Sequence, residues 1–149
     1  MRLAGVLEVR LAARMVRLAV WQNAAAAARL DRMKVLIVDD HPSFRASARR
    51  MLEADGFEVV AEAGTGADAL QAAEIWRPEL VLLDVQLPDI QGFDVAERLN
   101  VNGSAPAVVL TSSRDARSYG RRLTNGHVLG FVPKERISGA AIRALVDRP

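Results

Sequence analysis

The sequence predicts an α/β fold, a doubly wound parallel sheet preceded by an N-terminal extension. Three observations carry that prediction. Five short apolar runs recur between Met33 and Val146, separated by segments with helical spacing. Gly, Pro, Asn or Asp stands at most of the junctions. Polar side chains close four of the five runs, as Asp39-Asp40, Asp84, Thr111 and Lys134. Strands alternating with helices in about 115 residues argue for βα units rather than hairpins.

The elements follow in order. Val35–Val38 is a β-branched run and reads as a buried strand. His41-Pro42-Ser43 opens a helix, with proline near the first turn. Phe44, Ala48, Met51 and Leu52 share one face of it, and Asp55-Gly56 stops it. Phe57–Ala63 is a second strand, and Glu58 and Glu62 place it near a sheet edge. Gly64-Thr-Gly66 turns the chain into a helix over about 67–77, ended by Pro78. Leu80–Asp84 is apolar on both faces and therefore central. Gly92–Asn100 is a short helix, and Asn102-Gly103 with Pro106 forms a loop. Val108–Thr111 is the fourth strand. Residues 114–124 make a weak fourth helix, since Gly120 interrupts them and the apolar stripe is thin. Val128–Val132 is the fifth strand and Ile137–Val146 the fifth helix, with Ala141, Ile142 and Leu145 inward. A polar second run beside apolar first and third runs fits the flavodoxin-like (βα)5 order 2-1-3-4-5. Asp39, Asp40 and Asp84 then share one crevice.

Charge is unevenly spread. Residues 1–32 carry six Arg against Glu8 and Asp31, a net of +4, while residues 33–149 net −2. The folded part has no basic stripe, so direct nucleic-acid binding by this chain is not expected. The absence of cysteine excludes disulfides and thiolate metal sites, and it fits the cytoplasm. With His41 and His127 alone, zinc is not expected either. Residues 1–32 and 33–149 are read as separate parts. The first is a basic, Ala/Arg-rich extension, helical or disordered. Arg10, Arg14 and Arg17 interrupt it too often for a membrane span or a secretory signal. It reads as upstream sequence from a misplaced start with Met33 the first true residue, as a partner-binding or membrane-surface helix, or as a tail. It is too short for a DNA-binding domain.

Three clustered carboxylates repel one another unless a cation sits between them. Mg²⁺ suits such acids, being a hard ion that prefers oxygen and keeps several waters. The plainer reading makes Asp39-Asp40 a polar strand exit capping the next helix; Asp84 at a neighbouring strand end argues against it. Asp84 is placed to attack phosphorus as a carboxylate nucleophile. That chemistry needs positioning and charge neutralisation more than acid–base help. Lys134 offers a point charge and Thr111 a hydrogen bond to the phosphoryl oxygens. Each is an ordinary residue alone; their meaning is joint.

On these residues the chain, from about Lys34 to Val146, resembles the receiver domain of two-component response regulators. Asp39-Asp40 look like the family's metal-binding acids and Asp84 like its phosphoacceptor. Asp84, Pro88 and Gly92 match its D-x-x-x-P-x-x-x-G loop. Thr111 matches the hydroxyl residue after strand four, Lys134 the lysine after strand five, and Phe131 the aromatic switch. Val-Asp-Asp-His-Pro-Ser-Phe-Arg is most similar to receivers that precede a helix-turn-helix output domain. The resemblance implies a Mg²⁺ site at Asp39, Asp40, Asp84 and the Gln86 backbone carbonyl. It implies a phosphoryl group arriving on Asp84 from a sensor histidine kinase. Thr111 then shifts toward the phosphate and Phe131 rotates into the vacated space. A downstream protein reads the face of helix 4, strand 5 and helix 5, and a phosphorylation-dependent homodimer is a further partner. Such a chain is a phosphoacceptor rather than an enzyme, and cytoplasmic.

Several features depart from the pattern. Pro133 precedes Lys134, where many relatives carry a proline after the lysine. Phe131 has no hydroxyl. Gln86 and Ser113 lie where side chains admit or block a hydrolytic water. The sequence ends at Pro149, either as a single-domain regulator or as a piece of a longer one. Three rival functions remain. Gly64-Thr-Gly66-Ala-Asp-Ala69 matches a nucleotide-binding G-x-G-x-x-A turn, but leaves Asp39, Asp40 and Lys134 without work. A receiver-like interaction module without phosphorylation is the second. A metal-dependent phosphatase is the third, and Gln86 stands where its acid belongs.

Overall fold

The computed structural model describes residues 32–100, 105–114, 116–120 and 128–148. Expectations for residues 1–31, for the Asn102-Gly103 loop and for residues 121–124 lie outside that set. Five strands form one sheet, β1 (Lys34–Val38), β2 (Glu58–Ala63), β3 (Leu80–Asp84), β4 (Ala107–Ser112) and β5 (Val128–Pro133). Their order is β2-β1-β3-β4-β5 and every pairing is parallel. The α/β doubly wound prediction and its 2-1-3-4-5 order are therefore met.

Alternation along the strands builds two apolar layers. Leu36, Val38, Val81, Leu83, Val108 and Leu110 pack on one face of the sheet. Val35, Ile37, Leu80, Leu82, Val109 and Val132 pack on the other. β3 is buried at all five positions, as a central strand covered on both faces must be. Truncating Leu82 to Ala there costs about 2–5 kcal/mol through lost burial and a cavity.

Among the described residues, four α-helices cover the layers. Helix α1 (Pro42–Ala54) starts with proline in its first turn and buries Ala48 and Leu52 in the second layer. Gly56, at φ 90°, ends that connection in a conformation that glycine tolerates best. Helix α2 (Gly66–Trp76) is capped by Thr65, whose side chain accepts from the Asp68 amide. Asp89 caps it a second time, accepting from the Gly66 and Ala67 amides, and those bonds lower its pKa. Helix α3 (Gly92–Asn100) buries Val95, Ala96 and Leu99 in the first layer.

Two departures from expectation concern helix ends. In the expected fourth helix over 114–124, the described residues form a 3-10 turn at Ala116–Ser118, and Gly120 adopts φ +55°. The last helix, α4 (Gly139–Val146), begins two residues later than expected. Ser138 caps it by accepting from the Ala141 amide, and Lys134–Arg136 forms a separate 3-10 turn.

Candidate functional site

The register explains the site. Asp84 pairs with Thr111, which pairs with Val132. Val38 pairs with Leu83, so Asp39 is level with Asp84. With side chains alternating, Asp39, Asp84, Thr111 and Lys134 continue the face of Ile37, Leu82, Val109 and Val132. Four strands thus deliver two acids, a hydroxyl and an amine to the carboxyl edge of one sheet face.

Distances bear this out. Lys134 Nζ lies 2.5 Å from Asp39 Oδ2 and donates to Asp84 Oδ2 at 3.3 Å. The ammonium also sits 4.7 Å from the centre of the Phe44 ring, a cation–π contact from α1. The other Asp84 oxygen accepts from the Gln86 amide at 3.1 Å. Asp39 Oδ1 accepts from the His41 amide at 2.8 Å, and the His41 ring stands beside it. Arg45 donates to the Asp39 carbonyl at 2.6 Å and pairs with Glu62, fixing the loop after β1. Gly92 closes the loop after Asp84 by donating to the Val85 carbonyl, and a Cβ on it would strike the Asp84 carbonyl oxygen.

The electrostatics follow from burial. Asp84 is 3 % exposed. Burial pushes its carboxyl up, the Gln86 amide opposes that, Asp39 adds to it, and Lys134 opposes it, leaving a pKa of about 6. Burial alone would lower Lys134, but Asp39 and Asp84 outweigh it and raise its pKa. Asp39 is wholly buried, and its ion pair with Lys134 is not an aligned hydrogen bond. Among the described residues no such donor reaches Oδ2, and none pairs with the buried Thr111 hydroxyl.

A divalent cation fits this arrangement. Ligand atoms of Asp39, Asp40, His41 and Asp84 lie within 4.8 Å of one another. Three ionised carboxylates against one ammonium leave two negative charges to be met. Oxygen donors dominate, and Asp40 is more than a third exposed, open to a hydrated ion.

All the candidate residues except Phe131 and the Gln86 side chain converge here. Phe131 pairs with Leu110, one step out of register with Thr111. Its ring is 5.9 Å from Tyr119, which is 5.7 Å from Phe93 and whose hydroxyl is 2.7 Å from Ser112 Oγ. The exposed Gln86 contributes its amide to Asp84 and bridges to Gln91. The sequence analysis gave no site role to His41, Arg45 or Tyr119. His41 was open to detection, since it follows the tandem acids directly. Arg45 and Tyr119 reach their partners through folding, which no local pattern signals. The nucleotide-binding reading of the Gly64–Ala69 turn loses ground, because Asp89 occupies the amides a phosphate would use and Ile90 packs against Gly66.

Comparison with known proteins agrees with this geometry. The response regulator receiver domain family matches residues 35–146. BvgA of Bordetella pertussis, named as a transcription regulator, is 39 % identical over 101 residues, which cover 68 % of this chain and 48 % of BvgA. The DNA-binding transcriptional activator EvgA of Escherichia coli K12 is 30 % identical over 113 residues, covering 76 % and 55 %. The chain spans about half the length of these curated relatives. Among solved structures, the signal receiver domain of NarL from Mycobacterium tuberculosis superimposes with a TM-score of 0.69 at 28 % identity, covering 78 % of this chain and 98 % of that one.

Proposed function

The chain belongs to the response regulator receiver domain family of two-component signalling, and on that premise we propose that it is a switch turned on by phosphorylation of Asp84. The observation that carries this reading is a buried, crowded carboxylate, raised to about 6, with a lysine amine in contact and an orphaned hydroxyl paired beside it in the sheet.

One Asp84 oxygen attacks the phosphorus of a phosphohistidine on a sensor kinase, or of a small acyl phosphate. The O–P bond forms as the bond to the donor breaks, and the leaving imidazole or acetate departs with the bonding pair. Asp39, Asp40, Asp84 and the Gln86 carbonyl would hold Mg²⁺, which supplies charge neutralisation when bound. Lys134 stays on Asp39 and contributes a point charge to a phosphoryl oxygen. Thr111 donates its unused hydroxyl to another, relieving a buried unpaired group worth about 1–3 kcal/mol. That gain biases two arrangements of the segment after β4. The Ser112–Tyr119 bond and the tilted Tyr119–Phe131 ring contact lie next to Thr111 and would carry the change to Phe131.

The downstream reader is a protein that meets the face of β5, α4 and the segment between β4 and β5. A homodimer formed on phosphorylation is one form of that contact. The protein acts as a phosphoacceptor that assists its own transfer, in the cytoplasm beside the kinase. Among the described residues no helix is long and apolar enough to cross a membrane. A module working without phosphorylation would leave the Thr111 hydroxyl without a purpose. Intact-mass analysis after acetyl phosphate and Mg²⁺ tests the proposal. One added phosphoryl group, absent in Asp84→Asn, is expected; an adduct retained by that variant overturns it.

A further inference from the structure

His41 holds the N-cap position of α1, yet its side chain makes no capping bond to the helix. Residues at that position usually turn a side chain onto the first amides. The His41 ring turns back instead. Its Nδ1 lies 3.1 Å from Asp39 Oδ1 and 3.0 Å from Asp40 Oδ1. Two adjacent ligands of an octahedral ion with bonds of about 2.1 Å are separated by about 3.0 Å. The ring nitrogen and the two carboxylate oxygens thus already stand at ligand-to-ligand spacing. The rest of the ring is open, with two thirds of the side chain exposed. The buried Asp39 Oδ2 is engaged by the Lys134 ammonium, which leaves Oδ1 as the oxygen that faces the ring.

We infer that His41 is a further ligand of the metal site, giving it a preference for borderline transition cations that its carboxylates alone do not provide. The inference rests on the metal site of the proposed function and adds a nitrogen donor to it. Carboxylates and water suit Mg²⁺, whereas imidazole suits Co²⁺, Ni²⁺ and their neighbours. The Nδ1 lone pair would complete a mixed nitrogen–oxygen donor set that suits Co²⁺. Mg²⁺ uses the oxygen donors and leaves the ring aside. One sheet edge then answers differently to two classes of cation.

The test titrates the full chain with Co²⁺ and with Mg²⁺, following heat and the visible Co²⁺ spectrum, in wild type, His41→Ala, His41→Asn and Asp40→Ala. His41→Asn keeps a polar group facing the acids but removes the imidazole. Wild type should bind Co²⁺ more tightly than Mg²⁺. Both His41 variants should lose about tenfold or more of Co²⁺ affinity, change the Co²⁺ spectrum, and keep Mg²⁺ affinity within about twofold. An unchanged Co²⁺ affinity and spectrum in His41→Asn overturns the inference while leaving the oxygen site intact. If Asp40→Ala alters neither cation, the underlying metal site fails as well.

Discussion

Asp84→Asn should stabilise the protein at neutral pH and do nothing for it in acid. Asparagine has the shape of the carboxyl group but never ionises. Asp84 has its pKa raised from 3.8 to about 6 in the fold, chiefly by burial. A carboxyl that holds its proton more tightly when folded contributes stability below its unfolded pKa. That contribution is lost as pH rises through the folded pKa. The window therefore runs from about pH 4 to about pH 6. At about 1.4 kcal/mol per pH unit, the two-unit gap sets a ceiling of about 3 kcal/mol. Asparagine forfeits part of the Lys134 contact, so a gain of about 1–3 kcal/mol above pH 7 is expected. Urea unfolding followed by far-ultraviolet circular dichroism, with a chelator present, measures it from pH 4.5 to 8. Adding Mg²⁺ at ten times its Kd should narrow the gap by about 1.4 kcal/mol, because the ion binds the folded wild type preferentially. A variant equal to or less stable than wild type at pH 8 would refute the burial argument.

Lys134→Ala leaves Asp39 and Asp84 buried without their ammonium. A loss of about 3–5 kcal/mol in chelator is expected, partly restored by Mg²⁺ in the same urea assay. The variant should still accept some phosphate, but partner binding should no longer respond to it. Gly92→Ala drives a methyl group into the Asp84 carbonyl oxygen. A loss of about 1–3 kcal/mol is expected, with slower phosphorylation by acetyl phosphate in a timed mass assay.

Much of the fold was legible because its signals are local. The apolar run of β3 announces burial on both faces, and Glu58 and Glu62 announce an edge. Parallel order then follows from helical connections. The site was legible for a related reason: its residues close strands, and strand ends share an edge once the order is known. Elements whose form depends on distant contacts were less visible. Asp89 capping α2 requires the loop after β3 to cross to another helix. The Ser112–Tyr119 bond requires the chain to fold back after β4. The late start of α4 was decided by one side chain, as Ser138 turns onto the Ala141 amide and so fixes the first turn. The sequence presents His41 as the opening of a helix, since a ring's direction is invisible in sequence.

The most direct measurement locates the label. The chain is treated with acetyl phosphate and Mg²⁺, reduced with borohydride, which converts an acyl phosphate to an alcohol, and digested for peptide mapping. Reduction is expected at Asp84 and nowhere else. Modification at Asp39, Asp40 or another residue, or none while the protein is folded and metal is bound, would contradict it.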